Sequence, residues 1–229
     1  MVQDALNQVT PPQQKGFLKG RFMIDHLVSA RDLWVSNKEG IYVALDYSKA
    51  YDTVSHFFAE SVFRYMNMPS SITAVLLSLL KAPLVFIVGG GVYMDHEVLP
   101  KSGIRQGDPL SSALFSLIAA LIIPDLDKLP FTVITLMYAD DVLLFIPGTL
   151  REATERLEVV IWHIRVFGQF CGLQLNMAKS KALIRCQGAN DPQEVAGMEV
   201  VDEVRYLGIP QGHILAARAY ALALGKIMG

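Results

Sequence analysis

The stretch TVITLMYADDVLLFIP at residues 132–147 constrains the fold more than any other part of the chain. It consists of two apolar, β-rich runs separated by one charged pair, Asp140 and Asp141. Two such runs around a short polar break predict a β-hairpin with both carboxylates at its tip. Adjacent carboxylates between buried strands repel each other and are costly to desolvate, so a divalent cation would offset that cost. The alternative is an ordinary acidic turn, because Asp is common in turns, and the pair therefore needs partners elsewhere.

The composition is that of a compact globular protein. The chain has 229 residues, of which 52% are apolar and 18% charged, which fits one large domain or two small ones and argues against disorder. The net charge is −2, so any surface that binds nucleic acid must be local. Two cysteines make no disulfide or metal framework, and the five histidines show no HExxH spacing.

Nothing in the sequence predicts a signal peptide or a membrane span. The N-terminal residues lack the cationic and then apolar pattern of a secretory signal. The mean hydropathy is positive, which makes a membrane protein one alternative to weigh. The longest apolar runs are residues 72–88, interrupted by Lys81 and Pro83, and residues 110–124. A spanning helix needs roughly 20 apolar residues, so both runs are better interpreted as core elements.

A third carboxylate, Asp46, ends another predicted strand. Residues 41–46 (IYVALD) form an apolar run that closes on Asp46, and a helical pattern follows over residues 54–66. A carboxylate at the end of a buried strand is well placed to bind a metal ion. Capping of the next helix by Asp or Ser is the alternative.

Two glycine-spaced polar loops carry basic side chains. Residues 15–21 (KGFLKGR) include Lys19 and Arg21, and residues 101–109 include Arg105 and Gln106. Arginine makes bidentate contacts to phosphate, and glycine lets a ligand approach the backbone closely. Taken alone, the loop at residues 15–21 is more typical of plain solvated surface. Residues 89–91 are three glycines that match no dinucleotide or Walker pattern, so we interpret them as a hairpin turn.

The remaining pattern mixes helices and strands. Apolar spacing predicts helices over residues 22–37, 72–80, 109–123, 150–170 and 216–228, with Gly172 as the C-cap signal after residue 170. It predicts short strands over residues 84–88, 92–99, 182–185 and 199–208, and a loop over residues 187–197.

Read in order, several short blocks resemble one family. LDYSKAYD (45–52), SGIRQGDPLSSALFSL (102–117), YADD (138–141), GLQLNMAKSK (172–181) and RYLGI (205–209) closely resemble the palm motifs of reverse transcriptases encoded by non-LTR (LINE-type) retrotransposons. QKGFLKGR (14–21) is similar to that family's finger motif. The resemblance covers residues 13 to 210, and the ordered set of blocks is far more specific than YADD alone.

The resemblance implies an α+β fold. Its core would be a polymerase palm, an antiparallel sheet with helices packed on one face. Residues 1–40 would be a partial fingers segment, residues 41–210 the palm with inserted finger elements, and residues 211–229 the truncated start of a thumb helix. On that interpretation the thumb is essentially missing, and we expect the isolated chain to have weak or no processive activity.

The function implied is that of an RNA-directed DNA polymerase. Its partners would be an RNA template, a DNA primer and dNTPs, with no membrane and no obligate protein partner evident. The location would be intracellular, in the nucleus or the cytoplasm. Two Mg²⁺ ions, for which Mn²⁺ is a possible substitute, would activate the primer 3′-hydroxyl and neutralise charge on the leaving pyrophosphate.

By the resemblance, Asp46 and Asp140 bind both metal ions and Asp141 supports the site. The backbone carbonyl of Tyr47 would be a further ligand. Tyr51 is similar to the family's bulky aromatic residue beneath the sugar, which excludes a 2′-hydroxyl, although an ordinary core tyrosine is the alternative. Lys179 matches a lysine that can protonate the departing pyrophosphate, against the alternative of a solvated loop lysine.

Other residues would contact the nucleotide and the two strands. Arg21 and Lys19 would hold the triphosphate, and Gln106 and Gly107 would contact the template and the nascent base pair. Template or primer contacts would come from Arg105 and from the turn Tyr206, Leu207 and Gly208, which resembles a primer grip. Basic residues cluster in or beside the motifs and would bind phosphates in a salt-dependent way: Lys15, Lys19, Arg21, Lys101, Arg105, Lys179, Lys181 and Arg185.

Two alternatives stay open at this point. The first is a truncated retroelement remnant, catalytically weak or inactive, that only binds nucleic acid. The second is a membrane protein, which the lengths of the apolar runs disfavour. A related polymerase such as a group II intron maturase shares the same blocks and is harder to separate by motif.

Overall fold

A computed structural model describes residues 2–36, 39–82, 84–88, 91–98, 100–105, 109–185 and 191–212. Predictions for Gln106, Gly107 and the helix over residues 216–228 lie outside these described residues. The helices are α1 (Val2–Val9), α2 (Met23–Ser36), α3 (Ala50–Thr53), α4 (His56–Tyr65), α5 (Ser70–Lys81), α6 (Pro109–Ala120), α7 (Ile123–Leu126) and α8 (Leu150–Cys171). The strands are β1 (Gly40–Leu45), β2 (Tyr47–Ser48), β3 (Leu84–Val88), β4 (Gly91–Val98), β5 (Ile134–Tyr138), β6 (Asp141–Pro147), β7 (Gln174–Leu175), β8 (Lys181–Arg185), β9 (Glu194–Val195), β10 (Met198–Val200), β11 (Glu203–Tyr206) and β12 (Ile209–Gly212).

A six-stranded sheet forms the centre of the molecule, in the order β5-β6-β1-β8-β10-β9. Its pairs are antiparallel except β8–β10, which is parallel. The described residues also form three two-stranded sheets: β2–β7, β3–β4 and β11–β12. The α+β fold with an antiparallel-rich sheet and packed helices is therefore confirmed.

The central strands β1, β6 and β8 are buried because apolar residues point to both faces. In β1, Ile41 and Val43 belong to the main core, which also contains side chains of α4, α5, α6 and α8. Tyr42 belongs to a second core with Trp34 of α2 and Tyr206 of β11. Most helices thus cover one face of the sheet, while α2 and the β11–β12 hairpin cover the other.

Helix α8 begins and ends at residues with specific capping chemistry. Thr149 and Glu152 form a capping box, in which each side chain binds the other residue's backbone N–H. At the other end Gly172 has φ +90°, and a Cβ there would lie 2.0 Å from the carbonyl oxygen of Thr53. The C-cap predicted at Gly172 is confirmed, because only glycine combines that backbone conformation with so close an approach.

Several elements differ in extent from the sequence-based expectation. The helix expected over residues 109–123 is divided into α6 and α7. The strand expected over residues 199–208 is divided between β10 and β11, and β11 pairs with β12 in a separate hairpin. The loop expected over residues 187–197 contains the short strand β9. Within the described residues no helix is long and apolar enough to cross a membrane.

Candidate active site at the β5–β6 hairpin

The predicted hairpin is present, and the acidic pair lies at its tip. Tyr138 pairs with Asp141, which leaves Ala139 and Asp140 as the two turn residues. Ala139 has φ +54°, the sign that a type II′ turn has at its first central residue. Both aspartates are solvent-exposed, whereas the strands behind them are largely buried.

Strand pairing brings Asp46 to the same place. Leu45 of β1 pairs with Val142 of β6, so the next positions outward are Asp46 and Asp141. Residues opposite each other on antiparallel strands have Cβ atoms about 4.5–5.5 Å apart. The backbone of Asp46 is fixed on the other side, because its N–H donates to Ser180 Oγ at 3.1 Å and its carbonyl accepts from the Asn176 N–H at 2.8 Å.

The electrostatics of Asp141 agree with this placement. Partial burial of its carboxyl group raises the pKa of Asp141, and the negative charges of Asp140 and Asp46 raise that pKa further. The charges of Asp140 and Asp46 therefore lie close enough to act on Asp141. Within the part of the chain that the structure describes, however, no three His, Cys, Asp or Glu side chains are gathered closely enough to hold a metal ion. The acids are neighbours, but their side chains are not converged on one point.

Tyr51 lies in α3, within electrostatic reach of the acidic tip. Its ring stacks on Phe115 of α6 with centroids 4.3 Å apart and planes 17° apart. Partial burial raises the pKa of Tyr51, a hydrogen bond with Ser112 lowers it, and the charge of Asp140 raises it. Tyr47, whose carbonyl was predicted as a metal ligand, has a buried side chain whose pKa burial raises.

Lys179 lies in the turn that supports Asp46. Its N–H donates to the carbonyl oxygen of Asn176 at 3.2 Å, in the same turn whose Asn176 and Ser180 bind the Asp46 backbone. Lys179 is exposed. Its backbone is thus tied to the acidic site, and the proton-donor role of its amine stays a prediction.

Arg21 and Lys19 have other partners in this structure. The Arg21 guanidinium donates to the carbonyls of Asn7, Thr10, Pro11 and Gln14 at 2.6–2.8 Å. It therefore ties the loop after α1 to the end of that helix. Lys19 Nζ lies 3.3 Å from an Asp4 carboxylate oxygen in an exposed ion pair. Their predicted contact with the triphosphate stays a prediction.

Other members of the predicted basic surface also meet groups of their own chain. Lys15 pairs with Asp25 at 2.9 Å, and Lys181 pairs with Glu199 at 2.6 Å. The Arg185 guanidinium lies 4.0 Å above the Trp34 ring, and Arg105 donates to the carbonyl of Ala82. Exposed ion pairs are weak, so phosphates could compete for these cations.

The predicted primer-grip turn is the tip of the β11–β12 hairpin. Leu207 (φ +51°) and Gly208 (φ +75°) are its two central residues, between the paired Tyr206 and Ile209. Positive φ at both positions is the type I′ pattern, in which leucine is unusual. Tyr206 is buried, and a 2.7 Å hydrogen bond joins its hydroxyl to His26 Nδ1. Strand β11 contacts β1 and β6, the strands that lead to Asp46 and Asp141. Burial raises the pKa of Tyr206, and the charge of Asp141 raises it further.

Sequence reasoning missed Gln14 and His26, two buried polar residues outside the acidic blocks. Gln14 lies in QKGFLKGR, where the basic residues carry the more obvious chemical signal. Its carboxamide binds both backbone groups of Ala139, which is 125 positions away. The glycine two residues later was the available signal, because glycine marks places where backbones approach closely.

Comparison with known proteins agrees with the fold and the motifs. The family model "Reverse transcriptase (RNA-dependent DNA polymerase)" matches residues 1–211. The Pol polyprotein of the type-1 retrotransposable element R2 from Popillia japonica is 31% identical over 137 residues, covering 56% of this chain and 22% of that polyprotein. The R2DM polyprotein of Drosophila melanogaster is 27% identical over 222 residues, covering 86% of this chain and 20% of that polyprotein. The chain therefore spans about a fifth of the length of these relatives.

Solved structures with the same fold include two yeast telomerases. Telomerase from Candida albicans, in complex with a telomeric RNA fragment, matches 92% of this chain and 37% of its own with a TM-score of 0.66 at 13% identity. Apo telomerase from Candida tropicalis, truncated from its C-terminal domain, matches 92% of this chain and 42% of its own with a TM-score of 0.63 at 14% identity. At such identities the likeness concerns the fold alone. The family model, which covers nearly the whole chain, settles the classification: this chain belongs to the reverse transcriptase family, with the retrotransposable-element R2 polyproteins among its relatives.

Proposed function

We propose that this chain is an RNA-directed DNA polymerase domain that adds deoxynucleotides to a primer 3′-hydroxyl by two-metal-ion nucleotidyl transfer. One observation carries the proposal: the β1–β6 register brings Asp46 beside the Asp140–Asp141 pair. Burial and the negative charges of Asp140 and Asp46 raise the pKa of Asp141, and a bound divalent cation would offset this repulsion. Oxygen ligands of this kind suit Mg²⁺ or Mn²⁺.

In this proposal the chain supplies ligands, position and shape. Asp46 and Asp140 hold the metal ions, with Asp141 and the Tyr47 carbonyl beside them. Bound Mg²⁺ would supply activation of the attacking hydroxyl and charge neutralisation at the leaving group. The Tyr51 ring, fixed against Phe115, would exclude a 2′-hydroxyl from the sugar site. Lys179 would donate a proton to pyrophosphate.

The strands of template and primer would contact other parts of the surface. The turn at Leu207 and Gly208 would contact the primer, and Arg105, Gln106 and Gly107 would contact the template and the nascent pair. Arg21 and Lys19 remain candidates for the triphosphate only if their present contacts to the α1 segment are exchanged for phosphate.

A second candidate is a protein that binds nucleic acid without extending it. The favouring observation is that no three acidic, His or Cys side chains among the described residues are gathered for metal binding. In that case the acidic tip would not bind Mg²⁺ or Mn²⁺ at the metal concentrations that support polymerase reactions.

Primer extension separates these two functions. The chain is incubated with poly(rA)/oligo(dT) and dTTP in Mg²⁺ or Mn²⁺, beside Asp140→Asn and the control Asp202→Asn, which changes an exposed acid elsewhere. We expect extension by the wild type and the control, and a loss of about 100-fold or more in Asp140→Asn, because metal ions contribute several kcal/mol to such transition states. Binding of template–primer without extension by the wild type would contradict the proposed polymerase.

A further inference from the structure

A fully buried amide, that of Gln14, lies against the turn of the β5–β6 hairpin. Its Nε2 donates to the Ala139 carbonyl oxygen at 3.1 Å, and its Oε1 accepts from the Ala139 N–H at 2.8 Å. Oε1 also accepts from the Gly16 N–H at 2.8 Å. One side chain thus satisfies both polar backbone groups of the residue that precedes Asp140. Only this orientation of the amide allows all three contacts, since a flipped amide would oppose donor to donor.

The N-terminal segment is held beside the hairpin so that Gln14 can reach it. Met137 donates its N–H to the Gln13 carbonyl at 3.0 Å and accepts from the Lys15 N–H at 2.9 Å, which makes a parallel bridge to the edge strand β5. Gly16 permits the closest approach, because a Cβ there would lie 2.2 Å from the Ala139 nitrogen. Any other residue at position 16 would push the segment and the turn apart.

Ala139 is the residue of the turn that most needs such support. Its φ of +54° is in the left-handed region, which is unfavourable for a residue with a Cβ. It also lies between the last paired residues of the two strands, Tyr138 and Asp141, so the ladder does not satisfy its backbone groups. Unfavourable backbone conformations persist only where surrounding contacts hold them in place.

We propose that Gln14 is a positioning residue for the acidic tip: by fixing the backbone of Ala139 it sets where the carboxylates of Asp140 and Asp141 stand relative to Asp46. The inference rests on the proposed function in one respect, that these carboxylates bind the metal ions. Gln14 itself touches neither metal nor substrate. Its effect passes through the Ala139 backbone, so an experiment can distinguish this positioning role from direct contact with metal or substrate.

The test compares Gln14→Met with a matched control, Gln13→Met. Methionine nearly preserves the volume of glutamine but leaves the Ala139 N–H and carbonyl unpaired. Gln13 belongs to the same segment, and its side chain donates to Asp127 rather than to the turn. Three quantities are measured in each variant: hydrogen exchange of the Ala139 amide, the dissociation constant for Mn²⁺ alone, and kcat and KM for single-nucleotide incorporation.

In Gln14→Met we expect faster exchange at Ala139, Mn²⁺ binding weakened about 10-fold, and kcat lowered about 10- to 100-fold with KM changed less than about 2-fold. Gln13→Met should match the wild type in all three. Adding Ala139→Gly to Gln14→Met should restore part of the Mn²⁺ affinity, because glycine adopts a positive φ without penalty. Unchanged Mn²⁺ affinity, unchanged Ala139 exchange, or no recovery in the double variant would each overturn the proposal.

A second substitution, Gln14→Glu, covers the case in which Gln14→Met does not fold. Glutamate keeps the acceptor for the Ala139 and Gly16 N–H groups but loses the donor to the Ala139 carbonyl, so the loss of Mn²⁺ affinity should be smaller. Failure of both variants to fold would overturn the proposal, since Gln14 would then support the fold rather than the site. If the wild-type chain binds Mn²⁺ but does not extend primers, the polymerase function alone is contradicted. If the wild-type chain extends primers and Gln14→Met binds Mn²⁺ normally, only the role of Gln14 is contradicted.

Discussion

At the scale of single residues, the buried pair His26–Tyr206 links α2 to the β11–β12 hairpin through one 2.7 Å hydrogen bond. Burial lowers the pKa of His26 to about 4, the charge of Lys15 lowers it too, and Asp25 opposes them. Because the unfolded chain takes up this proton near pH 6.5 and the folded chain near pH 4, folding stability falls as the pH decreases between those values. Above pH 6.5 His26 is neutral in both the folded and the unfolded chain, and its burial then costs no stability through protonation.

We therefore expect His26→Phe to flatten the dependence of the unfolding free energy on pH. The wild type should lose about 3 kcal/mol through this group between pH 7 and pH 4, and the variant should not, although its stability at pH 7 will be lower. Urea unfolding at a series of pH values measures the difference. Tyr206→Phe is the matched control: it removes the same hydrogen bond but keeps the buried imidazole, so its pH dependence should follow the wild type. An equal slope in His26→Phe and wild type would contradict this assignment.

At the scale of secondary structure, α8 depends on local chemistry at its first turn. Thr149 donates its N–H to Glu152 Oε2 at 3.0 Å, and its hydroxyl accepts from the Glu152 N–H at 3.4 Å. Thr149→Ala should lower the unfolding free energy by about 1 kcal/mol, or roughly 2–4 °C in melting temperature, because the Glu152 N–H loses its acceptor and the hydroxyl no longer donates to Glu152 Oε2. Thermal unfolding followed by circular dichroism measures the effect.

Thr154→Ala provides the comparison within the same helix. The Thr154 hydroxyl donates to the Leu150 carbonyl, which also accepts the backbone N–H of the helix, so no backbone group depends on it. Alanine also has the higher helix propensity. Its stability should change by less than about 0.5 kcal/mol. Equal losses in the two variants would show that the box at Thr149 does not determine the stability of α8.

The elements that could be predicted from sequence carry local signals. The β5–β6 hairpin follows from two apolar runs around YADD, and the end of α8 follows from Gly172. Strands such as β9 and β12 could not be predicted, because two to four residues carry too little pattern and form by pairing with distant partners. The contacts that support the site could not be predicted either, because they join segments far apart in the chain. Gln14 binds Ala139, and His26 binds Tyr206.

At the scale of the whole molecule, the sheet holds together carboxylates whose repulsion opposes folding. An acid whose pKa is raised in the folded state destabilises that state when ionised, and this cost disappears as the pH falls below the folded pKa. The β1–β6 pairing must therefore overcome the repulsion among Asp46, Asp140 and Asp141 at neutral pH. Metal bound at the tip would remove that repulsion and link β1 to the hairpin.

Asp141→Asn should consequently have opposite effects with and without metal. In EDTA at pH 7 the variant should melt above the wild type by up to roughly a few degrees, and the difference should vanish toward pH 3 as the carboxylate is protonated. With Mg²⁺ at ten times its dissociation constant the wild type should gain about 1.4 kcal/mol, whereas the variant should gain less, because a ligand that binds only the folded state stabilises it by mass action. Thermal unfolding across a Mg²⁺ titration measures both effects, with Asp202→Asn as the control for the loss of a charge elsewhere. A Mg²⁺ gain as large in Asp141→Asn as in wild type would mean that the ion binds away from the hairpin tip, and the carboxylates there would then be an acidic turn and nothing more.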